Sequence, residues 1–206
     1  MNLLKKNALI LSATLVFTLF SCEKEEEVSP LEVVFETVVV DDKEEAASKN
    51  FNGYWAPWMT NNPRGAERNS HFLSGLDPNA IGLKVREQSG YGIINMSMIG
   101  RTENNALVQT DWTTTNYRGS VKEKSFSSRN DYATSIEIKE QHGYGVVDAR
   151  LISQRNISTG WITQNPNVNR YHRYNCLAGY KIVGISNREQ SGYGVIDVKI
   201  FVKKVE

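Results

Sequence analysis

A carboxylate, a phenol and a second carboxylate or amide recur together three times in this chain: Glu87, Tyr91 and Asn95; Glu140, Tyr144 and Asp148; Glu189, Tyr193 and Asp197. Each set lies in one ten-residue string, REQSGYGIIN from Arg86 to Asn95, KEQHGYGVVD from Lys139 to Asp148, and REQSGYGVID from Arg188 to Asp197. Residues of these types suit a sugar. An aromatic face stacks on the C–H surface of a pyranose while carboxylates and amides bond its hydroxyls. A structural reading stands beside it. Glutamate and the following glutamine pin a glycine-rich turn, tyrosine covers the end of a core, and repetition records duplication. Calcium on Asp148 or Asp197 fits poorly, because one carboxylate with few oxygen neighbours is a thin shell. Paired carboxylates also cleave glycosides. Catalysis, however, needs one asymmetric constellation, whereas binding gains avidity from equal copies. His71, His142 and His172 lack metal-ligand spacing, and no nucleophile elbow, phosphate loop or HExxH helix occurs. The chain therefore reads as non-enzymatic, without metal or cofactor, and nothing in it points to nucleic acid.

The strings belong to a larger unit. Glu87, Glu140 and Glu189 are 53 and 49 residues apart, and Trp58, Trp112 and Trp161 are 54 and 49 apart. A period of about fifty residues marks a supersecondary unit too small to bury its own apolar face, so the copies must share a core. The expected repeats are 51–101, 102–155 and 156–206. In each, a tryptophan segment precedes a strand of period two: Ile81, Leu83, Val85; Ile136, Ile138; Val183, Ile185. Gly-Tyr-Gly then reverses the chain, since glycine accepts positive φ. On the outgoing strand Ile94, Met96 and Met98 point one way, and Asn95 and Ser97 the other, as do Asp148 with Arg150 and Asp197 with Lys199. No segment combines helical apolar spacing with caps. The expected fold is all-β, three pseudo-repeats of antiparallel strands closed into a β-prism-like body, with a β-trefoil as the alternative on period alone.

Features present in one copy stand apart. Trp58, Trp112 and Trp161 are expected to plug the ends of the core. Trp55 has no counterpart and is expected, with Tyr54, Pro57 and Met59, to form an exposed aromatic patch suited to a ligand. Tyr171-His172-Arg173-Tyr174 offers aromatic and basic groups on a loop or short strand.

The first fifty residues carry an address. Lys5 and Lys6 precede an apolar run, Ala8 to Phe20, too short to span a bilayer and of secretory-signal length. It ends in Leu19-Phe20-Ser21-Cys22, which resembles the lipobox of bacterial lipoproteins. That resemblance implies residues 1–21 as the leader, acylation (palmitate included) of Cys22, and a membrane partner reached through the lipid, which several acyl chains make stable. Glu23-Lys24-Glu25-Glu26-Glu27 resembles the acidic tract of surface-exported Bacteroidetes-type lipoproteins and implies the outer membrane, on its cell-surface side. Residues 22–50 are expected as an acidic tether, with a strand expected at 31–40 that either completes the sheet of the last repeat or lies loose on the tether. From 23 to 50 there are ten acidic and three basic residues, whereas 51–206 holds thirteen acidic and nineteen basic. With Cys22 acylated, Cys176 is the sole thiol, so no intramolecular disulfide can form and Cys176 is expected as a small buried apolar residue.

Gly53-Tyr-Trp-Ala-Pro-Trp58, Gly82-Leu-Lys-Val-Arg-Glu-Gln88 and Ile94-Asn-Met-Ser-Met98 together resemble one repeat of the vitelline membrane outer layer protein I family. The resemblance spans residues 51–203 and implies three antiparallel sheets around a pseudo-three-fold axis, in extracellular coat proteins with suspected carbohydrate binding. The family's Asp-Asp-Thr-Ala turn is replaced here by Gly-Tyr-Gly, and its paired cysteines are missing. A second resemblance is to dermatopontin-like repeats. The expected function is a lectin-like module for carbohydrate or extracellular matrix; the alternative is a structural or assembly protein whose faces contact cell-surface proteins.

Overall fold

A computed structural model describes residues 35–37, 53–60, 62–72, 77–89, 91–191 and 193–205. The leader, Cys22, the acidic tract and most of the 31–40 segment lie outside the described residues.

Among the described residues every regular element is a strand. In chain order they are β1 (Phe35–Thr37), β2 (Gly53–Trp55), β3 (Ala66–His71), β4 (Asn79–Gln88), β5 (Gly92–Arg101), β6 (Leu107–Gln109), β7 (Ser120–Ser125), β8 (Ala133–Gln141), β9 (Gly145–Ser153), β10 (Arg170–Asn175), β11 (Tyr180–Gln190) and β12 (Gly194–Lys204). They form three four-stranded sheets, ordered β6-β5-β4-β7, β1-β10-β8-β9 and β2-β12-β11-β3. The repeated hairpins β4–β5, β8–β9 and β11–β12 are the centre of each sheet, and their inner strands β5, β9 and β12 pack against one another. Three equivalent sheets around one axis make a prism; the trefoil is set aside.

The core is built from the alternating positions read above. Leu83, Val85, Met96, Met98, Ile136, Ile138, Leu151, Ile185, Val198 and Ile200 are all buried in one cluster. Each such side chain contributes about 1.5–3 kcal/mol on leaving water, which is how hairpins too small to stand alone become stable together.

The sheets do not follow the sequence repeats. Each hairpin takes its cover and outer strand from the segment after it: β6 and β7 complete the first sheet, β10 the second. The third hairpin departs from this: β2 and β3, which precede all three hairpins, pair with β12 and β11. The body is thus a closed ring. β1 lies parallel on β10, in the sheet of the second hairpin rather than that of the last.

Two register shifts recur in every hairpin, one of them between Arg86 and Glu87, Lys139 and Glu140, Arg188 and Glu189. A bulge puts two residues opposite one and re-aims the side chains around it. The glutamate of each string is consequently half-buried, and the strict alternation of Leu83 and Val85 ends at Arg86.

Candidate functional site

The three Asx residues are part of the frame. Asn95, Asp148 and Asp197 are fully buried, because the face of the inner strand that alternation leaves polar is covered by the tryptophan segment and not by water. Each holds that segment at the residue two beyond the tryptophan. Thr114 N donates to Asn95 Oδ1 at 2.9 Å, Thr163 N to Asp148 Oδ1 at 2.8 Å, and Thr60 N to Asp197 Oδ1 at 2.7 Å. The same oxygen accepts the next backbone N–H of its own strand, from Met96, Ala149 and Val198. Buried N–H groups need such acceptors, and a carboxylate or amide oxygen serves equally well.

The remaining atom of each clamp differs. Asn95 Nδ2 donates to the carbonyls of Thr114 and Asn116, whereas Asp148 Oδ2 takes Lys139 Nζ and Asp197 Oδ2 takes Arg188 Nη1, both at 3.3 Å. Burial pushes the Asp197 carboxyl up to about 6, against the opposing pull of the Thr60 and Val198 N–H groups and of Arg188. The first cation of each string lies over the tryptophan: Arg86 over Trp112 at 5.2 Å, Lys139 over Trp161 at 4.3 Å, Arg188 over Trp58 at 4.1 Å. These tryptophans are half-buried and lie on the outer side of their sheets, not at the ends of the core.

The glutamates are half-buried, and instead of pinning the turn they meet side chains of the outer strand. Lys122 pairs with Glu87, His172 Nε2 with Glu140 at 2.7 Å, and Arg68 with Glu189 at 4.0 Å. The hydrogen bond from His172 holds the Glu140 carboxyl below the usual carboxylate range.

Tyr91, Tyr144 and Tyr193 are 41–44% exposed, at the tips of the hairpins. Beside them, the second glycine of each turn faces the axis. Gly92, Gly145 and Gly194 have φ of +76°, +84° and +79°, and a methyl group there would come within 2.9 Å of Val146 O, 2.5 Å of Val195 O and 2.7 Å of Ile93 O. Each turn therefore leans on the next hairpin, and the three close into a collar.

That collar creates the site. Tyr91 lines a cleft of about 530 Å³ with Thr115, Asn116 and Arg118 of its own sheet and Arg68, Glu189 and Gln190 of the sheet of the third hairpin. Tyr193 lines one of about 490 Å³ with Asn62 and Arg64 of its own sheet and Glu140, His142 and Arg170 of the sheet of the second. Tyrosine and glutamate thus meet across neighbouring repeats, not within one string. At the third junction Lys122 reaches from Glu87 to Thr163 O at 3.3 Å and spans the gap between the first and second sheets. Sequence reasoning missed the loop residues. Their signal was present: Asn62, Asn116 and Asn165 each follow the tryptophan by four, and the side-chain oxygen of each accepts the backbone N–H two residues on, from Arg64, Arg118 and Asn167.

The one-copy candidates are differently placed. Trp55 is half-buried against Phe201 at 5.1 Å with Lys199 over it, and Met59 is core. In β10, His172 and Tyr174 are buried, and Tyr174 shares a hydrogen bond with Tyr54. Cys176 is half-buried against the core, where desolvation pushes its thiol up to about 12. Among the described residues no group of three or more His, Cys, Asp or Glu side chains is placed to hold a metal.

No protein-family model matches the chain, and no curated protein sequence does. Solved structures do. Calystegia sepium agglutinin is similar over 74% of this chain and 97% of its own, at 13% identity and a TM-score of 0.54. A mannose-binding jacalin-related lectin from Ananas comosus is similar over 74% and 99%, at 13% identity and a TM-score of 0.52. A Malaysian banana lectin variant is similar over 74% and 98%, at 16% identity and a TM-score of 0.51. At such identities the likeness is one of fold, and that fold is the β-prism of the jacalin-related lectins.

Proposed function

We propose that the prism is a non-catalytic glycan-binding module, carried at the outer face of a bacterial outer membrane by an acylated Cys22. The observation that supports it most is the pair of clefts at the turn collar. Each is within the few-hundred-Å³ range of small-ligand sites and puts one exposed tyrosine among convergent amides, guanidinium groups and a carboxylate. An aromatic face bordered by such groups is what a sugar ring requires. The lectins sharing the fold, one described as mannose-binding, lend the reading weight. Repetition also favours binding, since weak equal sites gain from avidity.

The test is a glycan array probed with the detergent-solubilised full chain. Reproducible saccharide hits that vanish in the triple variant Tyr91→Ala, Tyr144→Ala, Tyr193→Ala support the proposal. Silence across glycans, with capture of a cell-surface protein, replaces it with a structural or assembly role. Anchoring is tested separately: Cys22→Ala should abolish incorporation of radiolabelled palmitate and release the protein from the membrane fraction.

A further inference from the structure

The two open clefts share a feature that neutral sugars do not require. Each contains a pair of arginines drawn from two sheets: Arg118 with Arg68 in one, Arg64 with Arg170 in the other. Arg64 and Arg118 occupy the same place, four residues into the polar loop after Thr60 and Thr114, where an Asx turn fixes the backbone. The third loop has Asn167 there instead, and the third junction is the one spanned by Lys122.

The carboxylates in these clefts do not cancel the charge. Each cleft sets two arginines against one carboxylate, Glu189 in the first and Glu140 in the second. Arg64 and Arg118 are exposed, and neither forms an ion pair among the described residues. Guanidinium groups present a planar fork that fits a carboxylate or sulfate in bidentate fashion, and an excess of them over carboxylates attracts anions. The surrounding head has the matching sign, nineteen basic against thirteen acidic residues from 51 to 206.

We propose that the two open clefts recognise an acidic saccharide, whose carboxylate or sulfate is held between arginines of neighbouring sheets while a sugar ring stacks on Tyr91 or Tyr193. This rests on the glycan-binding reading and narrows its ligand class.

Four probes test it with the detergent-solubilised full chain by calorimetry: oligogalacturonate, its methyl ester, dextran sulfate and dextran. An acidic probe should bind and its neutral counterpart should bind at least about tenfold more weakly; which acid binds distinguishes carboxylate from sulfate recognition. Arg64→Gln with Arg118→Gln should remove most of that preference, and both residues are exposed enough for the fold to survive, as circular dichroism would check. Arg129→Gln with Lys124→Gln removes the same charge from exposed positions outside both clefts and should change affinity less than about twofold. Equal affinity within both pairs, acid with ester and dextran sulfate with dextran, overturns the acidic class while leaving glycan binding in place. An equal loss in both double variants overturns the cleft assignment and leaves only diffuse attraction. Absence of saccharide binding of any kind sinks the proposed function as well.

Discussion

Tyr193 and Asp197 are four residues apart on one hairpin, and all three copies repeat the pair, yet the two positions are repeated for different reasons. Asp197 is fully buried and accepts two backbone N–H groups, so its type follows from the fold. Tyr193 is 44% exposed at a cleft and contributes little that the fold needs. Duplication by itself thus says nothing about function. Repetition at a buried position is accounted for by hydrogen bonding, whereas repetition of a large apolar ring in water calls for something that binds it.

The sharpest way to break this contrast lies inside one turn. Gly145→Ala should cost the most stability of the substitutions considered, about 3 kcal/mol or more in urea unfolding, because a methyl group meets Val195 O at 2.5 Å in addition to a left-handed φ. Gly143→Ala, with φ of +82° but nothing within 4 Å, should cost only about 1–2 kcal/mol. Equal losses would mean that the collar is not a close-packed contact.

Asp197→Ala comes next, at about 2–4 kcal/mol, since Thr60 N and Val198 N lose a buried acceptor. Asp197→Asn should behave differently, because Asn95 already shows that an amide serves the same clamp. The Asp197 carboxyl titrates near 6 in the folded chain and near 3.8 in its ordinary state. Its stabilising contribution is therefore full below about pH 4 and is lost as pH rises through 6, on the order of 2–3 kcal/mol. Thermal melts of the amide variant should lack that decline between pH 4 and 6.5; an unchanged slope would place the titration elsewhere. Glu140 works in the opposite direction. The bond from His172 lowers its carboxyl, so its contribution is present above about pH 4.5 and disappears as pH falls through the folded value.

The smallest effect on stability is expected where the effect on function is largest. Tyr91→Ala, Tyr144→Ala and Tyr193→Ala should each shift unfolding by under about 1 kcal/mol, the range of exposed positions, while together removing saccharide binding. A large loss of stability would return the tyrosines to the frame.

The hairpins were legible from local pattern, because Leu83, Val85, Met96 and Met98 repeat at the period of a strand. The resemblance-based expectation of three sheets around an axis also matches the prism. The role of Asn95 was not legible, since alternation shows that a face is polar but not what covers it. A clue did exist in Thr60, Thr114 and Thr163, each two residues beyond a tryptophan. The bulges after Arg86, Lys139 and Arg188 leave no period to read, which is why turn contacts are expected of the glutamates where outer-strand side chains meet them. The site itself was divided. Tyr91 and Glu189 share a cleft only because the ring closes, a relation no single repeat encodes.

That closure sets an order of events during synthesis. β2, the first strand after residue 50, pairs with β12, where Gly53 lies opposite Lys203, so it waits without its neighbour until β12 has left the ribosome. Joining residue 205 to residue 53 by a short linker and opening the chain at the Leu177–Tyr180 turn would let each hairpin meet its cover and outer strand from consecutive residues, and such a permuted head should refold faster than the natural one.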